Sequence, residues 1–368
     1  MSRSSSHGEA KKMPALPRPS SRPPASDSPT SNATAVDMPV RSATSLTIPD
    51  SVILVSPQNE ILLLHRVKTS TSFASAHVFP GGNLSEQDGP CPPPENLSRH
   101  EDGPHYRRAA LRELFEESGI LLAKDRKSGK MLAVDEATRE QGRKLIHQGK
   151  ATFDEWLAQQ HPDAEPDTEK LTPFTRWITP SANAKRYTTQ MYIYFMPLPV
   201  NVDESLLKEL PQEGEREEIQ VPSSDGGIEV TEAQFLPAKE WLRRAQNGEI
   251  ILFPPQFLLL YLVSGFLDQH PRTGLSVEEM EHRRNKLIRF IHSGSPAWTD
   301  KCISPKMTKV AADGRTVLAL HDPGYELKGS KRQGESDYVV LVRFMKGSAR
   351  EVTVALKKDI LKDERSNL

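Results

Sequence analysis

The sequence predicts an α/β fold carrying a helical insertion and a small β-rich C-terminal extension. Three observations lead there. Ser51–Ser56 and Ile61–Arg66 are short apolar runs separated by Pro57-Gln58-Asn59-Glu60, the pattern of a β-hairpin. Arg107–Ile120, RRAALRELFEESGI, has helical spacing and is followed by further segments of helical length. Beyond about residue 294, Thr316–Leu320, Asp337–Phe344 and Glu351–Leu356 read as strands.

Composition narrows the function classes. The 368 residues carry 48 Lys+Arg against 49 Asp+Glu, so neither a nucleic-acid footprint nor a basic membrane surface is expected. Cys91 and Cys302 match no zinc or redox spacing, and a reducing compartment follows. The longest apolar run, Ile250–Leu267, is broken by Pro254, Pro255 and Gln256 and reads as a buried helix opened by Pro255. Residues 1–30 lack the apolar core of a secretory signal, so a soluble protein is expected. Residues 1–44 are rich in Ser, Pro and Ala and read as a disordered tail. The early basic residues there admit a transit peptide, but closely spaced prolines oppose the amphipathic helix it would need.

Taken in order, the hairpin comes first. His65, Arg66 and Lys68 follow its second strand and can face an anionic ligand; solvated basic residues are the plainer reading. His77-Val78-Phe79-Pro80-Gly81-Gly82 is a tight turn. Pro90–Pro104 lacks periodicity and reads as a surface excursion. In the helix that follows, Glu113, Glu116 and Glu117 stand three and four apart on one face. Ala110, Leu111, Leu114 and Phe115 form an apolar stripe on the other side, and Gly119 stops the helix. Three crowded glutamates repel one another unless a hard divalent cation sits among them. A solvated acidic face is the competing reading, and helical spacing alone does not choose.

Asp135–Gln148 and Phe153–Gln160 read as inserted helices that either shape a substrate mouth or decorate the core. Thr188–Met196 alternates as a strand, 203–218 is an acidic loop, and Ser223–Gly227 is a turn before the strand Ile228–Leu236. Ala238–Gln246, Pro255–Leu267 and Val277–Ile291 read as helices, the second buried. A P-loop, a GxGxxG, a GxSxG and an HExxH are all absent.

Gly82, Asp88 and Arg112-Glu113-Leu114-Phe115-Glu116-Glu117-Ser118-Gly119-Ile120 together resemble the Nudix box, G-x5-E-x7-R-E-U-x-E-E-x-G-U with U aliphatic. The second half matches at every fixed position. The first half departs twice: Asp88 replaces a glutamate, and residues 89–111 replace a seven-residue spacer. An insertion at this place resembles the acyl-coenzyme A diphosphatase branch. So do Val78–Gly82, Arg107-Arg108-Ala109-Ala110, Arg176-Trp177-Ile178-Thr179-Pro180 and Gly248-Glu249 leading to Pro254-Pro255, with a weaker echo at His321–Tyr325. Where that branch commonly has Arg-Phe-Asp-Thr, this chain has Arg186-Tyr187-Thr188-Thr189.

The resemblance implies an α/β/α sandwich with a mixed sheet over residues 45–293, interrupted at 89–106 and 126–170, before the extension at 294–368. It implies Mg²⁺ or Mn²⁺ held by Glu113, Glu116 and Glu117, with the Gly82 carbonyl able to join. Arg112 would hold Glu113 or Asp88 through its planar donor fork. Glu229 is expected to complete the metal site or act as base, with Glu232 and Glu218 as alternatives. The implied reaction is hydrolysis of coenzyme A or acyl-coenzyme A to 3′,5′-ADP and (acyl-)4′-phosphopantetheine. Arg66, Lys68 and Arg186, with Lys185, are candidates to bind the 3′-phosphate. ADP-ribose, dinucleotides or nucleotide sugars are alternative substrates, and a catalytically silent Nudix-fold binding protein is a second alternative. Ser366-Asn367-Leu368 is close to the S-K-L peroxisomal address, with cytoplasm or mitochondrion as alternatives.

Overall fold

The computed structural model describes residues 46–67, 74–198, 220, 222–225, 229–268, 276–345 and 347–360. The expected tail over 1–44, Lys68, the acidic loop with Glu218, and Ser366-Asn367-Leu368 lie outside these residues. Strands β1 (Leu46–Thr47), β2 (Asp50–Val55), β3 (Ile61–Arg66) and β4 (His77–Val78) precede α1 (Pro104–Ser118) and β5 (Ala123–Asp125). Helices α2 (Glu136–His147) and α3 (Phe153–Gln160) lead into β6 (Ala164–Pro166), β7 (Thr172–Ile178) and β8 (Arg186–Phe195). Then come β9 (Val230–Leu236), α4 (Ala238–Gln246), α5 (Pro254–Leu267) and α6 (Val277–Ile291). Strands β10 (Cys302–Ile303), β11 (Lys306–Val310), β12 (Thr316–Leu320), β13 (Glu335–Met345) and β14 (Ser348–Leu356) follow.

The central sheet runs β10-β7-β8-β2-β3-β4, with β1 also on β8 and β9 also on β3. It is mixed: β2 lies parallel to β8 and antiparallel to β3. Every residue of β2 is buried because helices cover both faces. Val52 and Leu54 share a core with Leu111 and Leu114 of α1. Ile53 and Val55 share one with Trp241 of α4 and Leu258 of α5. This is an α/β/α sandwich.

Helix α1 starts three residues before the expected Arg107, because Pro104 suits the first turn, where its missing N–H costs nothing. It stops at Gly119, whose φ of 74° closes the last turn. The Pro90–Pro104 excursion is only half a surface feature. His100 is buried and its Nδ1 lies 3.0 Å from Thr188 Oγ1 on β8. Arg176 of β7 donates to the Glu101 carbonyl at 3.0 Å and stacks over Tyr106. Of the two readings of the inserted helices, the packing favours decoration of the core. Helices α2 and α3 pack behind α1, where Phe115 stacks on Trp156 with 4.8 Å between ring centroids. Gly142 makes that approach possible, since a Cβ there would come within 2.3 Å of the Trp156 ring.

The antiparallel sheet β11-β12-β13-β14 packs Leu318, Leu320, Val340 and Val352 into the same core as α5. Strand β10 pairs in parallel with β7, Cys302 beside Arg176. Strand β7 was not expected, because Pro173 and the run Thr-Pro-Phe-Thr-Arg-Trp-Ile hide its alternation; the register shifts at that proline. Among the described residues no helix is long and apolar enough to cross a membrane.

Candidate active site

One guanidinium organises the acidic face of α1. Arg112 is buried, and its Nε and Nη2 donate to the two Asp88 oxygens at 2.9 and 2.8 Å. Its Nη1 donates to Glu113 and to Glu116, each at 2.8 Å, and Nη2 also reaches the Asn83 carbonyl at 3.0 Å. Asp88 reaches Arg112 despite its short side chain because the 3₁₀ turn Glu86–Asp88 carries its backbone inward. The same carboxylate accepts from the Ser85 N–H at 2.8 Å and so ties the turn shut.

The Gly81-Gly82 turn fixes the other carboxylates. Glu117 Oε2 accepts from the Gly81 N–H at 2.8 Å. A Cβ on Gly82 would fall 2.3 Å from the Glu113 carboxyl, so any larger residue there would displace that carboxylate. The Gly82 carbonyl accepts from the Asp50 N–H at 3.0 Å. Arg66 of β3 reaches between two acids, with Nη1 3.7 Å from Glu117 and Nη2 donating to Glu229 at 3.0 Å. Glu229 stands at the mouth with a side chain about half exposed, 49%, and its N–H is held by Asp225 at 2.7 Å.

Charge is unbalanced here. Burial, together with the neighbouring Glu116 charge, pushes Glu113 up to about 7 against the pull of Arg112. Burial and then the Glu113 charge raise Glu117 well above the ordinary carboxylate range. Asp50 is raised in the same way, by burial first and Glu113 second. A hard divalent cation suits the chemistry of this set: the donors are oxygens gathered by one arginine fork and one glycine turn, and they hold more negative charge than Arg112 and Arg66 balance.

The cluster meets a cleft of about 1990 Å³ through Glu113, while Asp88, Arg112, Glu116 and Glu117 stand outside its lining. Asp50, Arg66, Gly82, Glu113 and Glu229 line one end, and Met307, Tyr325, Lys328 and Phe344 line the other. The expected binding residues differ in the partners they already have. Arg186 lines the cleft wall, but its Nη1 pairs with Glu326 at 2.6 Å and its Nη2 donates to the Thr179 carbonyl at 3.0 Å. Lys185 lines the same wall, whereas Glu232 lies on β9 beside His65 and outside the cleft lining. Thr188, standing where an aspartate was expected, is buried and is met by His100 and by Arg176 Nη1 at 3.3 Å. Sequence reasoning missed Asp50. Its one signal is an acid opening the otherwise apolar run Asp50–Val55.

Among the described residues the group whose ligand atoms already lie within 4.8 Å of one another is a different one, Asp125, His161 and Asp163, so the α1 carboxylates would have to draw together around an ion. Its members are already used in the β5–β6 hairpin. Asp125 accepts from the Lys127 and Ser128 N–H groups, and Asp163 pairs with Arg126 and Lys127.

No family model and no curated protein matches the chain. Among solved structures it is similar to a NUDIX hydrolase from Alicyclobacillus acidocaldarius, at 20% identity over 64% of this chain and 97% of that one, with a TM-score of 0.45. It is also similar to the NUDIX domain of Shewanella oneidensis NrtR complexed with ADP ribose, at 10% identity over 61% and 90% of the two chains, TM-score 0.31. A MutT/nudix family protein from Enterococcus faecalis matches at 12% over 71% and 87%, TM-score 0.27. Likenesses this distant add nothing to what the chain's own residues show.

Proposed function

We propose that this chain is a metal-dependent hydrolase of the Nudix type that cleaves a phosphoric anhydride. One observation carries the reading: a single arginine fork gathers Asp88, Glu113 and Glu116 beside Glu117 at the end of a cleft that Glu113 lines. Glu113, Glu116 and Glu117 would hold Mg²⁺ or Mn²⁺. Such an ion neutralises phosphate oxygens and acidifies a bound water.

The protein's own groups do the positioning. Arg112 aims Glu113 and Glu116, and the Gly81 N–H aims Glu117. Arg66 meets the phosphate oxygens at the cleft mouth. Glu229 takes the proton from the attacking water as its oxygen bonds to phosphorus and the bridging oxygen leaves.

The length of the cleft favours a substrate larger than a nucleotide, namely coenzyme A or acyl-coenzyme A, giving 3′,5′-ADP and (acyl-)4′-phosphopantetheine. Cavities that hold drug-sized ligands run to roughly 1,000 Å³, and this cleft of about 1990 Å³ ends on an exposed apolar wall. Arg66, Lys185 and Arg186 all line the cleft and are the candidates to meet the 3′-phosphate, Arg186 giving up Glu326 and Arg66 giving up Glu229 to do so.

The test is Mg²⁺-dependent turnover of acyl-coenzyme A, ADP-ribose and NADH, followed by mass spectrometry. Cleavage of acyl-coenzyme A at the pyrophosphate is expected. Turnover of ADP-ribose alone would overturn the coenzyme A reading. Turnover of none, with tight binding of one, would make the chain a silent binding protein.

A further inference from the structure

Asp50 opens β2 on the strand face that Val52 and Leu54 present to α1. It is 1% exposed, and neither carboxylate oxygen has a hydrogen-bond partner. Its backbone is locked behind the glycine turn: the N–H donates to the Gly82 carbonyl, and a Cβ on Gly81 would come within 2.2 Å of the Asp50 carbonyl. The other faces of that turn meet Glu117, through the Gly81 N–H, and Glu113, against Gly82. Asp50 and the two helix glutamates therefore border one turn, and Asp50 lines the same cleft as Glu113.

The groups that act on it are Glu113, Asp88 and Glu117, all acids, and Arg112, whose fork is taken by Asp88, Glu113, Glu116 and Asn83. A buried carboxylate with no donor and three acidic neighbours is costly, and an apolar residue would fill the start of this strand without that cost. A cation shared with the helix glutamates would remove it. Glu229 is less suited to the same task, being half exposed and paired with Arg66.

We propose that Asp50 is a further carboxylate of the cation site, meeting the ion from the sheet while Glu113, Glu116 and Glu117 meet it from the helix. This rests on the cation reading of the cluster given above. The experiment is Mn²⁺ binding without substrate, by calorimetry and by the loss of free-Mn²⁺ electron paramagnetic resonance. It is run beside thermal unfolding in EDTA and in Mn²⁺, on wild type, D50N, D50S and E117Q. Wild type should bind, and D50N and D50S should bind at least about tenfold more weakly. In EDTA both should melt at or above the wild-type temperature, so that the rise caused by Mn²⁺ shrinks from the loaded side. If wild type binds, E117Q does not, and D50N and D50S stay within twofold of wild type, Asp50 is a buried neutral acid and the proposal falls alone. If wild type itself does not bind, the cation reading falls and takes the proposal with it. D50S removes the carboxylate without the amide donors of D50N, so misfolding of one variant leaves the other to decide.

Discussion

The two ends of the cleft are built on opposite terms. At the α1 end, Arg112, Asp88 and Glu117 are each at most 5% exposed, and every fork position of Arg112 is spoken for. At the far end, Met307, Tyr325 and Phe344 are 66%, 72% and 50% exposed and project from the C-terminal strands and the turn between them. The first end has one arrangement of charge and no slack. The second offers area without fixed partners. Chemistry demands the former, because ligands must be placed to within a fraction of an ångström; accommodation of varied leaving groups asks only for the latter. Substitutions at the two ends should therefore fail differently.

The largest effect is expected from E116Q and E117Q. Each keeps the side-chain shape and should lower Mg²⁺-dependent turnover by about 100-fold or more, with far-ultraviolet circular dichroism unchanged. Near wild-type turnover in both would erase the contrast between the two ends. R112K should come next. Lysine cannot serve Asp88, Glu113, Glu116 and Asn83 together. Breaking this buried arrangement should cost about 3 kcal/mol of stability, read as a lower urea midpoint, along with a loss of turnover.

The third test uses pH. Glu113, raised from 4.5 to about 7, makes the folded state the stronger proton binder, so its contribution to stability falls as pH rises across that interval. His77 and His100, held down to about 4 by burial, act in the opposite sense. They are common to wild type and E113Q, so the difference between the two proteins reports Glu113 together with the relief of Asp50 and Glu117, which its charge raises. In EDTA, E113Q should gain on wild type from pH 4.5 to pH 7, by about 3 kcal/mol or more. A gap independent of pH would show that Glu113 is not strained.

The smallest effect is expected at the open end. M307S and F344S should raise KM for long acyl-coenzyme A several-fold, with kcat and melting temperature nearly unchanged. Equal effects on coenzyme A and on its long acyl thioesters would show that this wall does not touch the acyl chain.

The same division explains what could be read from the sequence. The helix, its glutamates, its glycine stop and the hairpin are local patterns, and the structure has them near the expected positions. Helices Phe153–Gln160, Ala238–Gln246 and Val277–Ile291 carry the expected bounds. What escaped depends on distant partners. Arg186 looks like a free cation until Glu326, from the C-terminal region, is seen beside it. Asp50 looks like a strand edge until the glycine turn and α1 close over it. The reach of Asp88 depends on a 3₁₀ turn with no periodic signature, and the depth of His100 depends on Thr188 and Arg176 across the sheet.

Strand β10 has a consequence for how the protein comes to be made. Thr175 and Lys301, 126 positions apart, are hydrogen-bonded at this seam, and among the described residues β10 is the strand that pairs with the outer side of β7 in the central sheet. During synthesis the Arg176 edge, which supports the insertion through Glu101 and Tyr106, must wait unpaired until residues near 303 leave the ribosome. An open strand edge is a template for wrong pairing. A chain ended at residue 293 would keep Glu113, Glu116, Glu117 and Glu229 and still be expected to aggregate.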